Sequence, residues 1–291
     1  MGYDAFYEPA GGDTFVATPA TAGPWDARSQ HAGPPSALFA RAFERHEPVD
    51  GQQLARVAVD ILRPVPVAPL TLRVRTVRPG RRITLVEGVA EADGLEVLHA
   101  RGWRLARSPE SAAVGEVPGG SVPGGSVPGG GVPGGGVPGG AVPASGVPGG
   151  EVPDLPAAGP AEVWPGAHSA GYMAAMEWRF VRGGMTLPGP AAVWMRPRLP
   201  LVAGEETSPV CRTMMVADSG NGVSAHLDPA RWLFVNVDLT VVLHRQPRGE
   251  WVLLDAVTTI GPDGAALAAS RLSDRDGAVG QGMQTLVVTP R

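Results

Sequence analysis

The chain has 291 residues, room for two compact domains or one large one, and 43% of them are hydrophobic, so a buried core is within reach. A formal net charge of −4 with no run of Lys or Arg leaves no basic stripe for nucleic acid, and the single cysteine, Cys211, excludes an intrachain disulfide and a cysteine-based metal site. The opening stretch "MGYDAFYEPAGGDTF" lacks the basic-then-apolar order of an export signal, and no window reaches the run of about 18 apolar residues that a membrane span needs, so a soluble cytoplasmic protein off the membrane is expected.

In chain order, "QHAGPPSALFARAFERHEP" (Gln30 to Pro48) reads as a helix: Pro34 and Pro35 lie in its first turn, and Ala37, Leu38, Ala40, Ala42 and Phe43 form an apolar face. Val, Leu and Thr then alternate with polar residues through "ARVAVDILRPVP" and on to "RGWRLA", interrupted at "RPGRR" and "EADGLE", the pattern of an antiparallel meander. This closes an N-terminal domain at about residue 107. From 108 to 165 large apolar residues other than Val are nearly absent and Val-Pro-Gly-Gly recurs from Val117 to Gly150, a composition that cannot bury enough to offset its ordering entropy. Pro-Gly favours isolated type II turns, so 108–165 is expected to be a flexible linker.

The second half, 166–291, repeats the order. "GEETSPVCRTMMVADSGNGVSAHL" reads as a helix, and "WLFVNVDLTVVLHR" opens a second meander with turns at "PRGE", "GPDG" and "DRDG". Sliding one half over the other sets His31 opposite Asp218 and Gly33 opposite Gly220. The fold class expected is α+β: two helix-plus-meander repeats in one pseudo-symmetric body, their sheets joined edge to edge. Trp178, Trp194 and Trp251 stand in strand-like windows and read as packing residues. His168, His226 and His244 show no metal-ligand spacing, no Gly-x-Ser-x-Gly elbow is present, and the glycine run follows no strand and opens no helix, so no metal, cofactor or phosphate loop is implied.

An ordered set of segments, "QHAGPPSALFARA", "ILRPVP", "MEWRF", "PGPAAVWMRPRLPL", "VADSGNG", "VNVDLTVVLHR", "GEWVLLDA" and "DRDGAVGQGMQTLVV", resembles the acyl-CoA thioesterase II type and related thioesterase-like proteins, over nearly all of the chain outside the Val-Pro-Gly-Gly segment. That resemblance implies a double hotdog fold and a functional trio. Asp218 matches the family's Asp, Asn236 falls where a Thr often stands, and Gln284 falls on the Gln after one gap, with Gln281 the other candidate. In a thioester hydrolase Asp218 would orient or deprotonate the attacking water, and the amides of Asn236 and Gln284 would fix the same water. Backbone donors for the oxyanion would come from a glycine-bearing helix start, either at Gly220, Asn221 and Gly222 or at Gly33, with His31 lining the site. Read without the resemblance, Asp218 in "DSGNG" is equally a helix-capping or turn residue. The partner implied is an acyl-CoA or other acyl thioester, and the sequence is compatible with a homo-oligomer. Three functions compete: thioester hydrolysis, a hotdog enoyl or hydroxyacyl thioester hydratase or dehydratase using His31 and Asp218 as an acid–base pair, and a non-catalytic acyl-CoA binding protein.

Overall fold

The computed structural model describes residues 2–108, 152–159 and 168–291, and those up to Arg107 and from Val152 form one compact unit. The Val-Pro-Gly-Gly run, with most of the expected linker, lies outside the described residues. Residues 152–159, which composition alone assigns to the linker, lie against the C-terminal half. There Trp194 Nε1 donates to Pro153 O at 3.1 Å, Arg179 donates to Pro156 O at 2.9 Å, and Val152 and Leu155 pack on a cluster that includes Trp194 and Trp251.

The N-terminal half runs β1 (Tyr7–Pro9), β2 (Thr14–Ala17), a 3-10 turn (Pro19–Thr21), α1 (Gly33–Arg45), β3 (Gln52–Ile61), β4 (Pro69–Arg78), β5 (Ile83–Ala92) and β6 (Leu95–Ala106). The C-terminal half runs α2 (Tyr172–Ala175), β7 (Met176–Gly184), β8 (Leu187–Pro197), α3 (Pro209–Ala217), α4 (Gly220–Val223), β9 (Trp232–Asn236), β10 (Asp238–Leu243), β11 (Val252–Ile260), β12 (Ala265–Asp274) and β13 (Gly277–Pro290). The strands form one antiparallel sheet in the order β1-β2-β4-β5-β6-β3-β10-β13-β12-β11-β8-β7. With β9 set aside, which pairs with β13 off this path, the same order of chain positions appears from either edge, so the duplication seen in the sequence is a duplication of topology. Its seam is the β3–β10 pair, with Leu239 opposite Val59 and Val241 opposite Val57.

Glycines bring α1 close to its own sheet. A Cβ at Gly102 would lie 2.6 Å from the Phe43 ring and one at Gly88 would lie 2.9 Å from the Phe39 ring, so β5 and β6 leave the space these aromatic rings fill. The second helix is shorter than the continuous segment expected over Gly204 to Leu227. Ser208 caps its start by accepting from Cys211 N at 3.1 Å, and Ser219 N closes on Val216 O at 3.0 Å in a 3-10-type turn, so α3 stops at Ala217 and α4 follows as a single turn. Among the described residues no helix is long and apolar enough to cross a membrane.

Helices α1 and α3 pack antiparallel. The start of α1 meets the end of α3, where a Cβ on Gly33 would lie 2.5 Å from Met215 O, and the end of α1 meets the start of α3, where Ser208 Oγ donates to Glu44 Oε2 at 2.8 Å. Burial pushes the Glu44 carboxyl above the usual carboxylate range despite the Ser208 and Cys211 donors and nearby Arg45. The folded state therefore favours the neutral acid: stability from this group is full below the unfolded value and is lost as pH rises through the folded one. Glu44→Gln, which keeps an acceptor for Ser208, is expected to raise the melting temperature at pH 8 and to lose that advantage towards pH 4. An equal difference at both pH values would contradict the assignment.

Candidate active site

The antiparallel helices bring together two residues far apart in sequence. His31, two residues before α1, and Asp218, immediately after α3, approach with Nδ1 to Oδ2 at 2.9 Å. They do not occupy equivalent places in the repeat. The position before α3 that matches Ala32 before α1 is Ser208, so the sliding comparison that set His31 opposite Asp218 does not describe the geometry; helix direction does.

Asp218 is buried, with 3% of its surface exposed, and is surrounded by donors. Oδ1 accepts from Asn236 Nδ2 at 2.8 Å and from Gln284 Nε2 at 3.1 Å. Gln284 Nε2 also donates to the Asp218 carbonyl at 3.0 Å, and Gln284 Oε1 accepts from Asn221 N at 3.0 Å, so one amide fixes Asp218 at backbone and side chain and ties α4 to β13. The second Asn236 N–H goes to Asp238 O at 3.1 Å. Gly220 makes room for the Gln284 amide, since a Cβ there would lie 2.9 Å from Oε1.

At His31 two contacts compete. Gly33 N lies 3.1 Å from Nδ1 as a donor, and Asp218 Oδ2 lies 2.9 Å from the same nitrogen as an acceptor. One in-plane nitrogen either carries the proton or accepts one. The shorter, charge-assisted contact takes precedence, so Nδ1–H donates to Asp218 and the Gly33 N–H is left as a donor beside the carboxylate. The His31 ring stacks on Tyr172, centroids 3.7 Å apart and planes within 7°.

The structure thus joins Asp218, Asn236, Gln284, His31, Gly33, Gly220 and Asn221 in one cluster. The N–H groups of Asn236 and Gln284 are spent on Asp218 and on backbone carbonyls, and the Asn221 N–H is spent on Gln284, so none of these N–H groups is left to donate to a water or an oxyanion. Gly222 instead lines a cavity of about 380 Å³ with Met185, Leu187 and His226. Gln281 points away: β13 alternates, with Gly282, Gln284 and Leu286 buried and Gln281, Met283 and Thr285 exposed on the opposite face. Burial pushes the Cys211 thiol up to about 12, which leaves it protonated against Ala37 O and unsuited to nucleophilic chemistry. Tyr172 is the neighbour that sequence reasoning missed. It sits on a four-residue helix with no periodicity to mark it.

The fold is that of hotdog proteins. A conserved protein of unknown function with a hot dog fold from Alicyclobacillus acidocaldarius superposes at TM-score 0.65 with 17% identity, over 98% of this chain and 97% of that one. The tesB protein of Mycobacterium avium subs paratuberculosis (TM-score 0.60, 16% identity, 98% and 96% covered) and the acyl-CoA thioesterase II TesB2 of Mycobacterium marinum (0.59, 14%, 98% and 95%) show the same architecture. No curated protein matches the chain in sequence. The family models decide further: the acyl-CoA thioesterase N-terminal domain matches residues 21–105, and the acyl-CoA thioesterase C-terminal domain matches residues 151–288. The chain belongs to the acyl-CoA thioesterase family and is an enzyme of the thioester hydrolase class.

Proposed function

We propose that the protein is a double hotdog that hydrolyses acyl-CoA or a related acyl thioester with a water held on Asp218. The observation that carries this reading is the pattern of donors around that carboxylate. A carboxylate has about four acceptor positions. Asn236 and Gln284 take both on Oδ1, and His31 takes one on Oδ2, which leaves one on Oδ2 for a water O–H. As the water oxygen bonds to the thioester carbonyl carbon, its proton passes to Oδ2. Collapse of the tetrahedral intermediate then breaks the C–S bond and the thiolate takes the proton back. The Gly33 N–H, freed when Nδ1 is protonated, is the donor best placed by this reading for the developing oxyanion.

The short His31–Asp218 contact also favours a second reading, hydration of an enoyl thioester with the pair as acid and base. Two variants separate them. Under hydrolysis Gln284→Ala and His31→Ala each loosen Asp218 without removing the base, so kcat for thiol release should fall by roughly tenfold with KM little changed. Under hydration His31→Ala removes a proton carrier and should cost about 10² to 10⁴. A loss of that size for His31→Ala, matched by turnover on an enoyl thioester, would favour the second reading.

A further inference from the structure

We infer that Tyr172 is a positioning residue for hydrolysis, holding the His31 imidazole in the orientation that directs Nδ1 at Asp218; the inference rests on the Asp218-held water reading. The two rings lie nearly parallel, 3.7 Å apart, so Tyr172 covers one face of the imidazole and blocks rotation of its plane. Both backbones hang from neighbouring carbonyls of one loop: His31 N donates to Thr21 O at 2.8 Å and Tyr172 N donates to Ala22 O at 2.9 Å. The stack is therefore registered by the main chain as well as by ring contact. Gly171 permits this approach, since its φ is +24° and a Cβ there would lie 2.3 Å from Ala22 O.

Tyr172 cannot easily turn away. It is fully buried, Trp178 meets its ring edge-on at 6.1 Å, and its hydroxyl donates to Met215 O at 2.7 Å and pairs with Ser219 Oγ at 2.9 Å. Met215 and Ser219 flank Asp218 on the chain. One side chain thus fixes the imidazole with its face and the turn bearing the carboxylate with its tip, joining the two halves of the His31–Asp218 contact. The charged or titratable groups meeting the imidazole are Asp218 from the end of α3 and Tyr172 from α2. Burial drives the Tyr172 hydroxyl far above its ordinary value, so it acts as a neutral hydrogen-bonding group and not as an acid.

The test is a double-mutant cycle on the full chain, read as thiol release from an acyl-CoA with KM and kcat separated. Tyr172→Leu should lower kcat by roughly tenfold in the native background, with KM within about twofold, and when His31→Ala is already present should cost no more than Tyr172→Phe does, the share of the hydroxyl alone. Equal losses in both backgrounds would overturn the inference, since a purely structural tyrosine acts whether or not the imidazole is there. If the leucine variant does not fold, Tyr172→Phe decides by NMR. The ring alone should keep the downfield proton resonance of the His31 Nδ1–H···Asp218 contact, and loss of that resonance would overturn the role given to the ring. A fully active Asp218→Asn enzyme would instead defeat the underlying reading and leave the resonance result standing by itself.

Discussion

Asp218→Asn is expected to lower turnover by about 10² to 10⁴ while the protein stays folded, the loss that follows removal of a positioned general base. The new amide matches the carboxylate in shape. Its oxygen can stay at the Oδ1 position, where Asn236 and Gln284 both donate, and its NH2 then faces His31. An imidazole with the proton on Nε2 accepts from that NH2, so the cluster survives with changed protons. What is lost is the remaining acceptor on Oδ2 and the charge that would take the water's proton. If Asp218 served only as a turn or capping residue, the same change would cost about 0.5 to 2 kcal/mol of stability and leave turnover per folded molecule intact. Turnover and unfolding measured on one sample distinguish these outcomes.

Gly33→Ala is expected to have the next largest effect, on stability and activity together. The added Cβ would lie 2.5 Å from Met215 O, a backbone atom held in α3, so the helices must separate locally. Overpacking of this kind costs about 1 to 3 kcal/mol. Separation at this point also withdraws His31 from Asp218, because Gly33 and Met215 stand within a few residues of each, and a displacement of about 1 Å can cost on the order of a hundredfold in rate. Gly220→Ala should be milder: its 2.9 Å contact is with the Gln284 side-chain oxygen, which can move more readily than main chain. Wild-type turnover and unfolding midpoint for Gly33→Ala would show that the close approach of α1 and α3 does not hold the site.

Much of the architecture is legible in the sequence, because strands with one buried face alternate and their turns carry Gly, Pro and Asp. The segments "RPGRR", "EADGLE", "GPDG" and "DRDG" each fall where one strand ends and the next begins. The break at Val237 between β9 and β10 is not legible. "WLFVNVDLTVVL" carries no Gly or Pro to mark a break, and only the structure shows β9 pairing with β13 while β10 also pairs with β3. The partnership of His31 with Asp218 was readable as a pair but not for its cause. Helix direction depends on packing between elements distant in sequence, and an internal comparison cannot supply it. The choice of Gln284 over Gln281 was within reach, since residues three apart on a strand face opposite sides and only Gln284 shares a face with Leu286 and Gly282. Tyr172 was not: its role comes from contacts with the 18–31 loop and α3, and nothing within its own four-residue helix signals them.

The most direct measurement is made on the unaltered enzyme: release of free CoA from a panel of acyl-CoAs, followed alongside the enoyl absorbance of crotonyl-CoA. Hydrolysis through the Asp218-held water predicts stoichiometric thiol and free acid from at least one acyl chain length, with the enoyl absorbance lost no faster than thiol is released. Loss of enoyl absorbance without thiol, or tight binding of acyl-CoA with neither change, would contradict it.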